Sequence, residues 1–143
     1  MREEKNLEVV NIDCRMNDTV CGQGGEWIPI RPGTDGALCA ALAYEIINNG
    51  WADEEFLHTY CVGYDEETMP ESAKGQNKSF KDYILGTGYD MTPKTPSGCA
   101  ITLIPVAKIK ELAEKSAPPT SLHLPGIRFP APCLTARLRL ALS

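Results

Sequence analysis

The chain is 143 residues long, with 43% hydrophobic residues, 23% charged residues and a formal net charge of −5. That length fits one domain with a real core and excludes two full domains, and the composition excludes wholesale disorder. All 19 acids lie in residues 1–115 against 11 of the 14 Lys and Arg, a local net charge of −8 with no basic stripe, which excludes general nucleic-acid binding.

In sequence order, Met1–Asn6 reads as a helix turn or tail, and Leu7–Asp13 as a strand ending in Cys14-Arg15. The Gly- and Asn-rich stretch that follows reads as a loop through Gly22, Gly24 and Gly25. Trp27–Ile30 is the second strand. It runs into the turn Pro32-Gly33-Thr34-Asp35, which opens a long helix with Leu38, Ala41, Leu42, Ile46 and Ile47 at helical spacing and Gly50 as its stop. Asp53-Glu54-Glu55 starts a shorter helix, with acids at its positive end.

Met69–Lys78 reads as a loop, Phe80–Leu85 as a short helix stopped by Gly86, and Thr92–Pro96 as a linker. Ile104–Lys115 is amphipathic, with Ile109, Leu112 and Ala113 facing inward. After Lys115 the character changes: residues 116–143 hold five of the 11 prolines and three Arg but no acid. This tail is expected to be disordered or non-native, with an amphipathic membrane helix at 134–142 as the alternative.

The protein as written reads as cytoplasmic, because its first residues are not a signal peptide and no run is long enough to span a membrane. The six cysteines (14, 21, 39, 61, 99 and 133) form no CxxC and pair with neither His58 nor His123 at zinc-like spacing. Buried or free thiols are expected, with no metal ligands and no catalytic residues assigned. P-loop, GxGxxG and GxSxG motifs are absent, and the acid runs at 53–55 and 66–67 read as solvated faces.

The constellation that carries information is the two strand ends and the turn. A carboxylate such as Asp13 at a strand C-terminus can meet a ribose hydroxyl or a base edge; a cap or turn role is the alternative. Arg15 can stack on a base or pair with a phosphate, or make a surface ion pair with Asp18 or Glu26. Gly33 permits positive φ and close backbone approach. Thr34 offers a hydroxyl, and Asp35 offers two acceptor oxygens that suit the adjacent N1–H and N2–H2 donors of guanine. An ordinary helix N-cap is the alternative reading of this turn.

These segments, in this order, resemble the catalytic subunits of the molybdopterin-guanine-dinucleotide oxidoreductases, the dimethyl sulfoxide reductase family, and most closely the branch that gives the family its name. The resemblance is carried by Val10-Asn11-Ile12-Asp13-Cys14-Arg15, by the stretch from Glu26 to Leu38 and by the stretch from Phe56 to Glu66. It continues through Tyr83-Ile84-Leu85-Gly86, Lys94-Thr95-Pro96 and Ile101-Thr102-Leu103-Ile104-Pro105 to about Lys115.

The resemblance implies an internal piece of a much larger enzyme: an α/β fold over residues 1–115, part of a Rossmann-like nucleotide-binding domain with parallel strands and flanking helices. Asp13, Arg15, Gly33, Thr34 and Asp35 match positions that help hold a guanosine of the bis-guanine-dinucleotide cofactor. The parent enzyme would transfer two electrons and an oxygen atom at molybdenum, reducing an S- or N-oxide in anaerobic respiration. It would carry an iron–sulfur cluster, work with iron–sulfur and membrane-anchor subunits, and be exported and membrane-associated.

The sequence departs from the family at three places. Cys14 stands where the family has Pro, and the family's iron–sulfur cysteines and molybdenum ligand have no counterpart in it. Beyond Lys115 the family's continuation is replaced by the Pro-rich tail, so a truncated or frameshifted product is expected. A fragment contributing part of the cofactor site, not catalytic alone, is therefore the first reading. A small stand-alone nucleotide-binding or interaction domain is the second. Marginal stability is expected, because only two strands are evident.

Overall fold

A computed structural model describes residues 8–117 and 138–142. The turn or tail expected at Met1–Asn6, and residues 118–137 of the Pro-rich segment, lie outside the described residues. The fold is mixed α/β, built on a parallel sheet of order β2-β1-β3.

Strand β1, Glu8–Asp13, is rich in β-branched residues, which favour extended backbone. Val9 through Asp13 are all buried, as in a strand covered on both faces. Strand β2, Glu26–Pro29, lies parallel to it, in register from Val10 opposite Glu26 to Asp13 opposite Pro29. Strand β3, Leu138–Leu142, pairs with the other edge of β1, from Glu8 opposite Leu138 to Ile12 opposite Leu142. The sequence offered disorder or a membrane helix for this segment, yet its leucines at 138, 140 and 142 follow the period of a strand.

A parallel pair needs a crossover, and residues 14–25 supply one. They contain helix α1, Asp18–Gln23, where a loop was expected. Asn17 caps it, its side-chain oxygen accepting from the Val20 N–H at 3.0 Å. Gly25, at φ +98°, brings the crossover back against β1, where a Cβ would stand 2.3 Å from the Val9 carbonyl oxygen.

Helix α2, Asp35–Asn48, turns Leu38, Ala41 and Leu42 inward. It ends in a Schellman arrangement: Trp51 N–H reaches the Ile46 carbonyl at 2.9 Å and Gly50 N–H the Ile47 carbonyl at 3.1 Å, with Gly50 at φ +67°. Helix α3, Glu54–Tyr60, is capped by Asp53, and helix α4, Phe80–Leu85, runs from a Ser79 cap to left-handed Gly86.

A 3₁₀ segment, Pro96–Thr102, occupies the stretch after the expected linker. Helix α5, Val106–Ser116, buries Ile109, Leu112 and Ala113, the inward face its periodicity indicates. The core lies between the sheet and these helices, joining Val10, Ile12, Ile28 and Ile30 to Leu38, Ala41, Ile109 and Leu112. Trp51 packs partly buried against it. Lys108 ties α5 to Glu26 of β2 at 2.7 Å, across the surface.

No helix among the described residues is long and apolar enough to cross a membrane.

Candidate functional site

The C-terminal ends of β1 and β2 lie side by side, and the Ile30 N–H extends the pairing to the Asp13 carbonyl at 3.4 Å. Arg31, Pro32, Gly33 and Thr34 then form a tight turn. The Thr34 N–H closes it on the Arg31 carbonyl at 3.3 Å, with Gly33 at φ +76°. Pro second and a positive-φ Gly third is the residue order of a type II turn. The turn is tethered from outside by the Arg31 N–H, which donates to the Thr102 carbonyl at 3.2 Å.

Asp35 is the first residue of α2, and Thr34 occupies the cap position. Thr34 is buried, and its hydroxyl donates to the Arg31 carbonyl at 2.7 Å, so no side chain caps the helix. The Thr34 carbonyl takes the Ala37 and Leu38 N–H groups. The Asp35 and Gly36 N–H groups are left pointing outward at the positive end of the helix. A Cβ added at Gly33 or Gly36 would meet nothing within 4 Å, so neither glycine is crowded by its surroundings. Among the described residues the Asp35 carboxylate has no hydrogen bond and no ion pair.

Asp13 behaves differently. It is 5% exposed, and its carboxylate accepts from the Arg15 N–H at 3.2 Å and from the Asn17 side-chain amide. The indole N–H of Trp27 donates to its carbonyl at 3.2 Å. Asp13 therefore shapes the start of the crossover and aims the backbone at Arg15.

Arg15 and Arg31 are both exposed, each two residues beyond its strand, and neither has a carboxylate partner among the described residues. The surface pair of Arg15 with Glu26 or Asp18, weighed from sequence, is not formed; Glu26 is taken by Lys108. The structure thus gathers the five sequence-derived residues at one end of the sheet. Arg31 was not among them, although its place at the end of β2 mirrors that of Arg15 at the end of β1.

This end of the sheet thus carries two exposed arginines without a carboxylate partner, two backbone N–H groups at a helix start and one carboxylate unpaired among the described residues. Such a set suits an anionic ligand with a hydrogen-bonding head.

Comparison with known proteins agrees with the family suggested by the strand and turn motifs. The protein is 50% identical over 115 residues to a probable dimethyl sulfoxide reductase chain of Escherichia coli, covering 80% of its own length and 14% of that relative. It is also 50% identical over 115 residues to the dimethyl sulfoxide reductase of Haemophilus influenzae, with the same coverage. The chain belongs to the dimethyl sulfoxide reductase family. A more distant relative, the arsenate respiratory reductase molybdopterin-containing subunit of Chrysiogenes arsenatis, is 31% identical over 114 residues, which make up 77% of the present sequence and 13% of that subunit. No protein-family model matches the chain.

The chain spans about 14% of the length of the dimethyl sulfoxide reductases it matches, the dimensions of a fragment.

Proposed function

We propose that this chain is a piece of a molybdopterin-dependent oxidoreductase of the dimethyl sulfoxide, or S- and N-oxide, reductase type. It contributes part of the site for the guanine-dinucleotide form of the cofactor and does not catalyse alone. The observation that carries this reading is the uncapped start of α2, where an unpaired Asp35 and open Gly33 and Gly36 stand at the strand ends that bear Arg15 and Arg31.

On this reading the Asp35 carboxylate accepts from the N1–H and N2–H2 edge of guanine, a pair of donors adenine lacks. Gly33 keeps the approach free of a side chain, and Arg15 pairs with a phosphate. Thr34 holds the turn, and Asp13 holds Arg15 in place. The parallel sheet with helices after its strands is one portion of a Rossmann-like nucleotide domain. When bound, the cofactor supplies the molybdenum centre at which two electrons and an oxygen atom move. The residues of this fragment bind and orient. The iron–sulfur cluster, the electron-transfer and membrane-anchor subunits and any export belong to the remainder of the parent enzyme.

Exposed apolar side chains support the fragment reading. Val62 is 83% and Leu103 66% exposed. Leu103 also holds φ +65°, one residue from the Thr102 carbonyl that tethers the turn. In a longer protein such groups meet neighbouring segments.

A chimera tests the proposal. Residues 8–115 replace the matching segment of the Haemophilus influenzae dimethyl sulfoxide reductase. Retained cofactor content and reductase activity are expected, with cofactor content falling on Asp35→Asn. A stable chimera that incorporates no cofactor would refute the reading.

A further inference from the structure

A second cluster of donor groups, sharing no residue with the cradle made by the Arg31–Thr34 turn and the start of α2, lies on α3 and the loop after it. Glu54 and His58 stand one helical turn apart, and Asp65 approaches from the loop. The imidazole Nε2 of His58 is 2.6 Å from Asp65 Oδ2 and 3.9 Å from Glu54 Oε2. The three donor atoms all lie within 4.8 Å of one another.

The other oxygen of each carboxylate is held from behind. Glu54 Oε1 accepts from the Tyr64 hydroxyl at 3.0 Å and from the Lys81 ammonium at 3.2 Å. Asp65 Oδ1 accepts from the Thr68 N–H and the Thr68 hydroxyl, each at 3.1 Å. These outer partners fix both carboxylates with their remaining oxygens turned toward the imidazole, as the outer shell of a metal centre does. A concavity of about 370 Å³ opens directly beside His58, with Cys61 and Glu67 in its wall.

We propose that Glu54, His58 and Asp65 form a binding site for a divalent first-row transition ion of the Zn2+ class, reached from solvent beside His58, the one ligand of the three that also lines this concavity. One imidazole nitrogen and two carboxylate oxygens suit Zn2+, Mn2+ or Fe2+. Ca2+ prefers six or more oxygens and Mg2+ an octahedron of oxygens, so the imidazole argues against both. Ligand distances of about 2.0–2.2 Å put tetrahedral donor atoms roughly 3.4 Å apart. The Glu54–His58 separation already lies near this, and His58 and Asp65 need open by less than about 1 Å as the ion replaces the hydrogen between them. Lys81 beside Glu54 works against cation binding, so the site is expected to be of moderate affinity. It shares no residue with the cradle at α2, and its occupancy is independent of the reductase reading.

The test is titration of the metal-free 143-residue protein with Zn2+ after its accessible thiols have been alkylated. One equivalent is expected to bind in the micromolar range, with His58→Gln weakening it at least tenfold and Glu54→Gln several-fold. Co2+ in place of Zn2+ is expected to give a visible ligand-field spectrum that His58→Gln removes, while far-ultraviolet circular dichroism stays unchanged. Unchanged Zn2+ affinity in both folded variants, or no one-equivalent binding by the unsubstituted protein, would overturn the proposal.

Discussion

The Thr34 hydroxyl donates to the Arg31 carbonyl at 2.7 Å, so the residue at the cap position of α2 closes the turn and leaves the helix start open. One side chain settles the character of the site. Had the hydroxyl turned the other way, it would have taken one of the N–H groups that the cradle presents.

Thr34→Val removes this bond while keeping the shape of the buried side chain. A loss of about 1 kcal/mol in urea denaturation is expected, the usual net worth of such a hydrogen bond. Thr34→Ser, which keeps the hydroxyl, should lose less. Equal losses in the two variants would show that the bond contributes nothing.

Gly25 and Gly22 make a matched pair within one crossover. Gly25→Ala places a methyl group 2.3 Å from the Val9 carbonyl oxygen at a backbone φ of +98°. Destabilisation of about 2 kcal/mol or more is expected, from strain and overlap together. Gly22 lies in α1 with nothing within 4 Å of the added methyl, and Gly22→Ala should be neutral or stabilising by up to about 1 kcal/mol. Denaturation midpoints of the two variants check both signs.

The thiols should separate by reactivity. Cys14, Cys21 and Cys39 are exposed, whereas Cys99 is buried and its Sγ–H donates to the Ala37 carbonyl at 2.9 Å. Burial pushes the Cys99 thiol above its ordinary range, which keeps it protonated and unreactive. Iodoacetamide at mildly alkaline pH should modify the three exposed cysteines first, and Cys99 only when denaturant is added. Peptide mass mapping over a time course reads the order. Early labelling of Cys99 would place it outside the core.

Much of this architecture was legible in the sequence. The apolar period of α2, the Gly50 stop and the inward face of α5 all followed from residue spacing, because these helices bury one stripe against a common core. Helix α1 was not legible. Gly22, Gly24 and Gly25 read as a loop, and the need for a helical crossover appears only once β1 and β2 are known to be parallel. The 3₁₀ segment was hidden in the same way by Pro96 and Gly98.

At the site, the sequence placed Asp13, Arg15, Gly33, Thr34 and Asp35 at neighbouring strand ends, and the fold brings them there. It could not show that Asp13 is engaged by Arg15 and Asn17 while Asp35 is free. That difference depends on which turn each carboxylate folds into. The Glu54–His58 pair was readable as an i,i+4 spacing, but Asp65 joins it only through the fold of the following loop.

Calorimetric titration with GDP and, separately, with ADP bears most directly on the cofactor-site reading. GDP is expected to bind more tightly than ADP, because only guanine offers the Asp35 carboxylate two adjacent donors. Asp35→Asn is expected to erase the difference while leaving the weaker, phosphate-driven binding in place. Equal affinity for the two nucleotides, or a guanine preference that survives Asp35→Asn, would remove Asp35 from the guanine edge.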